Sequence, residues 1–190
     1  MIKLLKHFGL YFIMMSKVIS IPEKWKAFRI KLILELEKIG INSLGIVLFI
    51  SFFVGGVVSI QTALNLENVL LPKYLIGLAS RDALILEFSP TMIALILAGK
   101  VGSSIASEIG SMRVSEQIDA LEIMGVNSAS FLILPKIIAS ILFFPFLVIL
   151  SMGIGMIGAW IGGLSVNVTT AEFLYGLKYE FISFYVTYAI

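Results

Sequence analysis

Apolar and polar positions separate along the chain into blocks with helical spacing. Trp25, Phe28, Leu32, Leu36 and Ile39 recur every three or four residues, with Lys24, Lys31, Glu35 and Lys38 between them, which predicts an amphipathic helix. Ser20-Ile21-Pro22-Glu23 reads as its start, with serine as cap, proline in the first turn and glutamate three residues on. Between Lys38 and Glu67 lie 28 residues without a charge, more than the roughly 20 that cross a hydrocarbon core, and they predict a first span over 41–64. Gly55-Gly56 inside it serves either a close helix approach or a hinge. A second span over 83–104 contains Ser89-Pro90, which either begins a helix or kinks one already running. The 35 uncharged residues from Lys136 to Glu172 would extend about 52 Å as one helix. They predict a single long third span over 130–163, with Gly158 and Gly162 as a packing surface and Pro145 tolerated within lipid. An extracytoplasmic segment with Glu172, Lys178 and Glu180 follows. Residues 181–190, "FISFYVTYAI", turn apolar again but are too few to cross, so the sequence is expected to stop inside a fourth span and to be C-terminally incomplete.

Composition supports a membrane reading, with 59% hydrophobic residues, 14% charged residues and a mean hydropathy of +1.04, well above soluble proteins. The expected fold is an all-α polytopic membrane protein forming one domain, with residues 1–40 as an amphipathic lead-in lying in the membrane interface. A helix packed on a soluble domain is the alternative. A signal peptide does not fit, because Lys17 interrupts the apolar stretch after Phe8 and no small-residue cleavage site follows. Eight of the fourteen Lys and Arg residues lie within residues 1–38, which favours a cytoplasmic N-terminus. Span one then runs outward, span two inward, and residues 105–127 lie in the cytoplasm. With no cysteine and a single histidine, His7, thiolate metal sites, cysteine nucleophiles and histidine clusters are excluded. No cofactor and no nucleic-acid partner is expected.

The exception to this greasy pattern is residues 99–125, "GKVGSSIASEIGSMRVSEQIDALEIMG". Ser115 is a candidate cap for a helix whose first turns contain Glu116 and Asp119, near the positive end of the dipole. Gly125 fits the stop. Val114, Ile118 and Leu121 share one face of that helix, and Asp119 and Glu122 point away from it. About ten residues of helix are too weak to stand free in water, so either the membrane domain or a cytoplasmic partner must hold the apolar face. No GxxxxGK[ST] phosphate loop occurs, and Gly99 and Gly102 beside Lys100 are too closely spaced for one.

From Glu87-Phe88-Ser89-Pro90 through Leu134-Pro135 the chain resembles the signature segment of the MlaE (YrbE) family of ABC-transporter permeases, which move lipids in bacteria with two membranes and have plastid relatives. The string "MRVSEQIDAL" followed by "MG" is its most restrictive part. Weaker similarity extends through span one, including Gln61, and through the glycines of span three. The resemblance implies a homodimeric, non-catalytic permease subunit of the inner membrane, with an interfacial N-terminal helix and about five spans, of which roughly three and a half fall within this sequence. It implies phospholipid transfer to or from an MCE-type periplasmic lipid-binding protein, driven by a separate ABC ATPase subunit. The ATPase would dock on a coupling helix of about residues 108–125. Family matches there are Glu108, Gly110, Met112, Arg113, Glu116, Gln117, Asp119, Ala120, Leu121, Met124 and Gly125, and Glu122 belongs to the same segment.

Gln61 and Glu87 are candidates for the lipid cavity. Glu87 is equally open to a structural reading, satisfied at the interface by Arg81, Lys73 or a helix start, and Gln61 to holding helices together. Three departures from the family pattern stand out: Leu86 where arginine often precedes the acid, Lys100 where arginine is common, and Ser128 in place of a frequent proline after Asn127. The competing function is an ion or proton pathway organised around Glu87, which would require a relay of intramembrane charges; spans one and three carry none. An intramembrane enzyme would need a nucleophile paired with a base or a metal cluster, and the spans offer only serines.

Overall fold

Why the chain is helical follows from its apolar runs: in lipid every backbone N–H and C=O must be bonded within the segment. The computed structural model describes residues 2–19, 25–66, 71–181 and 184–189, and all regular structure among them is helical. The expected helix start at Ser20–Glu23 lies outside the described residues. The elements are α1 (Ile2–Val18), α2 (Trp25–Leu36), α3 (Asn42–Leu66), α4 (Tyr74–Ala83), α5 (Ser89–Val114), α6 (Gln117–Ile123), α7 (Ser128–Ser165), α8 (Thr170–Lys178) and α9 (Phe184–Ala189). Wide π turns at Glu37–Ile41 and Leu84–Phe88 join α2 to α3 and α4 to α5. Three uninterrupted helical runs result, Trp25–Leu66, Tyr74–Val114 and Ser128–Ser165, each long and apolar enough to cross a membrane. The protein is therefore an all-α polytopic membrane protein.

The N-terminal forty residues differ from one interfacial helix. Residues Ile2–Val18 form a helix of their own, and the segment from Trp25 continues into the first span without a break. Gly40 lies within this run, and the Phe143 ring occupies the space a side chain there would take. Nor is α2 amphipathic in the expected sense. Phe28 is buried and Trp25 stacks on it with ring centroids 5.6 Å apart, yet Trp25 itself is exposed and the charged Glu35 is buried. Ser89-Pro90 opens α5 inside a helical run that is already under way. The Ser89 N–H reaches back to the Leu84 carbonyl, five residues earlier, and this wide turn immediately precedes a residue that has no N–H of its own. The third run is one helix of 38 residues, about 57 Å long.

The contacts fall into two packed units, residues 1–42 with 100–143, and residues 43–99 with 144–190. The second is held by a seam of glycines. A side chain at Gly55 would collide with the Gly155 backbone, one at Gly158 with the Phe52 carbonyl, and one at Gly162 with the Gly56 carbonyl. Gly55-Gly56 is thus a packing surface for α7, as association between helices in lipid demands. In the same unit α4 lies against α8, where Gly77 meets the Phe173 backbone and Gly176 that of Tyr74. A cluster of Val58, Ile76, Leu84, Ala159 and Phe173 fills the interior between them.

Candidate functional site

The polar insert is two elements rather than one helix. The last turns of α5 carry Glu108, Met112 and Arg113 and end at Val114; Glu116 then adopts left-handed backbone angles (φ 57°), and seven residues, Gln117–Ile123, make α6. Ser115 is not a cap. Its hydroxyl donates back to the Ser111 carbonyl at 2.8 Å, a bond within the preceding helix that competes with capping the next one. This break also removes Val114 from the expected apolar face. Ile118 and Leu121 are half-buried as anticipated, but Val114 is 87% exposed.

The stop at Gly125 has the expected geometry: φ is +74°, its N–H donates to the Glu122 carbonyl, and the Val126 N–H donates to the Leu121 carbonyl, both at 3.0 Å. These bonds satisfy the last carbonyls of α6. Arg113 spans the break to Asp119 at 2.9 Å, and Ser128 donates to Glu122 at 2.9 Å. The turn is therefore pinned at both ends, while Glu116, Gln117, Ile123 and Met124 point into open space. Ile123 and Met124 are 86% and 64% exposed. On the other side Ile118 faces a groove of about 760 Å³, shared with Leu10, Ile13 and Met14 of α1 and Leu132 of α7. There Asn127 donates its amide to the Lys17 carbonyl at 3.1 Å.

Behind the turn lies a charge cluster that pattern reading missed. Lys136 of α7 is buried; its Nζ is 2.6 Å from Glu35 Oε1 and 2.8 Å from Glu108 Oε2. Lys38 Nζ reaches the same Glu108 oxygen at 2.6 Å from the exposed side. Lys31 sits over the Phe131 ring, 4.8 Å from its centroid, and Lys100 donates to the Asn42 carbonyl. The one usable signal was chemical: Lys136 interrupts an otherwise apolar stretch, yet nothing in the sequence pairs residues 101 positions apart.

In the second unit the structural partners imagined for Glu87 are engaged elsewhere. Buried Arg81 donates to the Leu177 and Tyr179 carbonyls at 2.9 and 2.8 Å, pairs with Asp82 at 2.8 Å, and lies over Phe181. It thereby bonds carbonyls at the end of α8. Lys73 donates to the Asn167 carbonyl at 2.9 Å. Glu87 and Gln61 are both exposed, and no described residue forms a hydrogen bond or ion pair with either. Among the described residues no group of three or more metal-ligating side chains converges.

A family model described as Permease MlaE matches residues 32–190. The chain is 35% identical over 139 residues to the protein TRIGALACTOSYLDIACYLGLYCEROL 1, chloroplastic, of Arabidopsis thaliana, covering 70% of this chain and 39% of that one. It is 34% identical over 158 residues to a probable ABC transporter permease protein of Rickettsia prowazekii (80% and 57% covered). To the intermembrane phospholipid transport system permease protein MlaE of Haemophilus influenzae it is 31% identical over 153 residues (80% and 58%). The chain spans about half the length of the curated relatives it matches.

Proposed function

The chain belongs to the MlaE permease family, and from that premise we propose that it is the non-catalytic permease part of an ABC transporter in the inner membrane. It works as a homodimer with its N-terminus in the cytoplasm, exchanging phospholipid with an MCE-type periplasmic lipid-binding protein. A separate ATPase subunit supplies the energy and docks on the segment from Glu108 to Gly125. The lipid cargo is supported by the Haemophilus relative, whose name specifies phospholipid transport. Gln61 and Glu87, exposed and unpartnered among the described residues, are the polar groups offered to lipid.

The observation that carries this reading is the form of the α5–α6 turn. It exposes Val114, Ile123 and Met124, beside the Arg113–Asp119 pair and Glu116, on backbone held by a left-handed break and a glycine stop. A short helix cannot be rigid in water by itself; this one is fixed from behind and offers apolar and charged groups outward, the combination that seats in a groove of a soluble partner. Replacing Glu116 and Asp119 with lysine is expected to reduce ATPase co-purification at least about tenfold, since like charges set against an interface cost several kcal/mol. A Met124→Cys variant, whose cysteine is the chain's single one, is expected to react with an impermeant thiol reagent only from the cytoplasmic side. Undiminished ATPase capture, or labelling from the periplasm, refutes the proposal.

A further inference from the structure

Lys136, Glu35, Glu108 and Lys38 bring three helical runs together at the base of the docking segment. Lys136 and Glu35 have side-chain exposures of 3% and 6%, and Glu108 of 24%. Glu35 Oε2 is buried with no hydrogen-bond partner among the described residues, so the cluster leaves one acceptor unsatisfied there, a costly arrangement. Stability alone does not account for it. A buried ion pair gains about as much from Coulomb attraction as it loses in desolvation, and apolar residues of similar volume are often as stable or more so. What charges provide and methyl groups do not is a short, directional contact whose energy rises steeply with displacement where water is excluded.

We propose that Lys136 is a positioning residue that transmits movement of the ATPase-docking segment into the membrane helices. This rests on the docking role proposed above. Glu108 lies six residues before the end of α5 at Val114, so a push on the α5–α6 turn displaces its carboxylate along the helix. At 2.6 and 2.8 Å the two Lys136 bonds have no slack. Shifting Glu108 by about 1 Å takes one of them beyond hydrogen-bond range unless α7, which carries Lys136, and α2, which carries Glu35, move with it. The runs that begin at Trp25 and Ser128 are thereby tied to a displacement that originates outside the membrane. Lys38, half-exposed on the same Glu108 oxygen, closes the cluster on its outer side.

The test compares the full chain with the variant Glu35→Leu, Lys136→Met, which leaves the docking segment untouched, each reconstituted with its ATPase in liposomes, by three readouts: ATPase association, ATP hydrolysis, and lipid moved per ATP. Removing Glu35 and Lys136 together leaves no buried ion unpaired, because Glu108 keeps Lys38 as its partner. The expected result is association and hydrolysis near those of the unmodified chain, with lipid moved per ATP reduced on the order of tenfold, the scale of a coupling free energy. Unchanged lipid per ATP overturns the proposal. So does loss of ATPase association by the variant alone, which would make the cluster a support for the docking surface. Failure of the unmodified chain to bind the ATPase would instead refute the docking role. If the double variant does not fold, Lys136→Arg decides, because it keeps the charge while changing the length and shape of the contact: about fivefold less lipid per ATP is expected, and no change overturns the proposal.

Discussion

The two packed units hold their helices together by opposite means. In the unit of residues 43–99 and 144–190, α3 and α7 meet where side chains are absent, with Gly55, Gly158 and Gly162 against bare backbone. In the unit of residues 1–42 and 100–143, α2, α5 and α7 meet through a buried cation shared by two carboxylates. The glycine seam gains dispersion from close approach and forms no specific polar bond. The charge cluster fixes position through a few short bonds at the expense of desolvation. One arrangement suits helices that must stay together in lipid; the other suits a place where position has to be reported. The same long helix takes part in both, since α7 contributes Lys136 near its start and Gly158 farther along.

Lys136→Met alone should have the largest effect on stability. Among the described residues it strands Glu35 with no cation at hydrogen-bond distance and leaves Glu108 only the exposed Lys38, the situation in which breaking a buried pair costs about 3–5 kcal/mol. Thermal unfolding in detergent should show a clear fall in midpoint, and adding Glu35→Leu and Glu108→Leu should recover most of it. If the single variant is as stable as the unmodified chain, the cluster is not the desolvated unit described here, and the contrast with the glycine seam disappears.

Gly158→Val comes next, at about 1–3 kcal/mol. The added carbons would meet the Phe52 carbonyl, which belongs to the α3 backbone and cannot rotate away as a side chain would. Gly153→Val on the same helix is the internal control, because nothing lies within 4 Å of its added Cβ. Both changes carry the same β-branched propensity term, so the difference between their unfolding midpoints isolates the seam. Equal midpoints would mean that α3 and α7 do not approach closely at these positions.

These contrasts track what was legible in the sequence. Span-length apolar runs and glycines four residues apart are local patterns, so the three crossing helices and the packing role of Gly158 and Gly162 could be read directly. The stop at Gly125 was readable for the same reason, since a positive φ favours glycine. The start of α6 was not. There a glutamate takes up the left-handed conformation that a glycine would have signalled, and Ser115, a cap by residue type, bonds backward to Ser111. That single break moved Val114 from the inner face to solvent. The charge cluster was invisible because its bonded partners are separated by 28 to 101 positions, and pairing at that distance depends on how the helices pack. Arg81 illustrates the same limit: with Glu87 in view it looked like a salt-bridge partner, but it bonds carbonyls 96 and 98 positions away.

The smallest expected effect concerns a contact that is neither buried nor distant, the cap of α8. Thr169-Thr170-Ala171-Glu172 forms a reciprocal box: the Glu172 N–H donates to the Thr169 hydroxyl at 3.3 Å, and the Thr169 N–H donates to the Glu172 carboxylate at 2.9 Å. The hydroxyl's hydrogen bond to that carboxylate, followed by the backbone N–H, lowers the Glu172 pKa below the usual glutamate range. A depressed folded-state pKa favours the folded form above the unfolded value of about 4.3, and that contribution is lost as the pH falls through the folded pKa. The protection of amides in the first turn of α8, measured against the unstructured exchange rate at the same pH, should therefore fall on acidification below about pH 4.3. Thr169→Ala should raise the Glu172 titration midpoint toward the unperturbed value and flatten this pH dependence, with the seam and the charge cluster undisturbed. A midpoint unmoved by the substitution would show that the Thr169 hydroxyl does not hold the carboxylate, and that α8 relies instead on Gly176 against Tyr74 and on Arg81 at its far end.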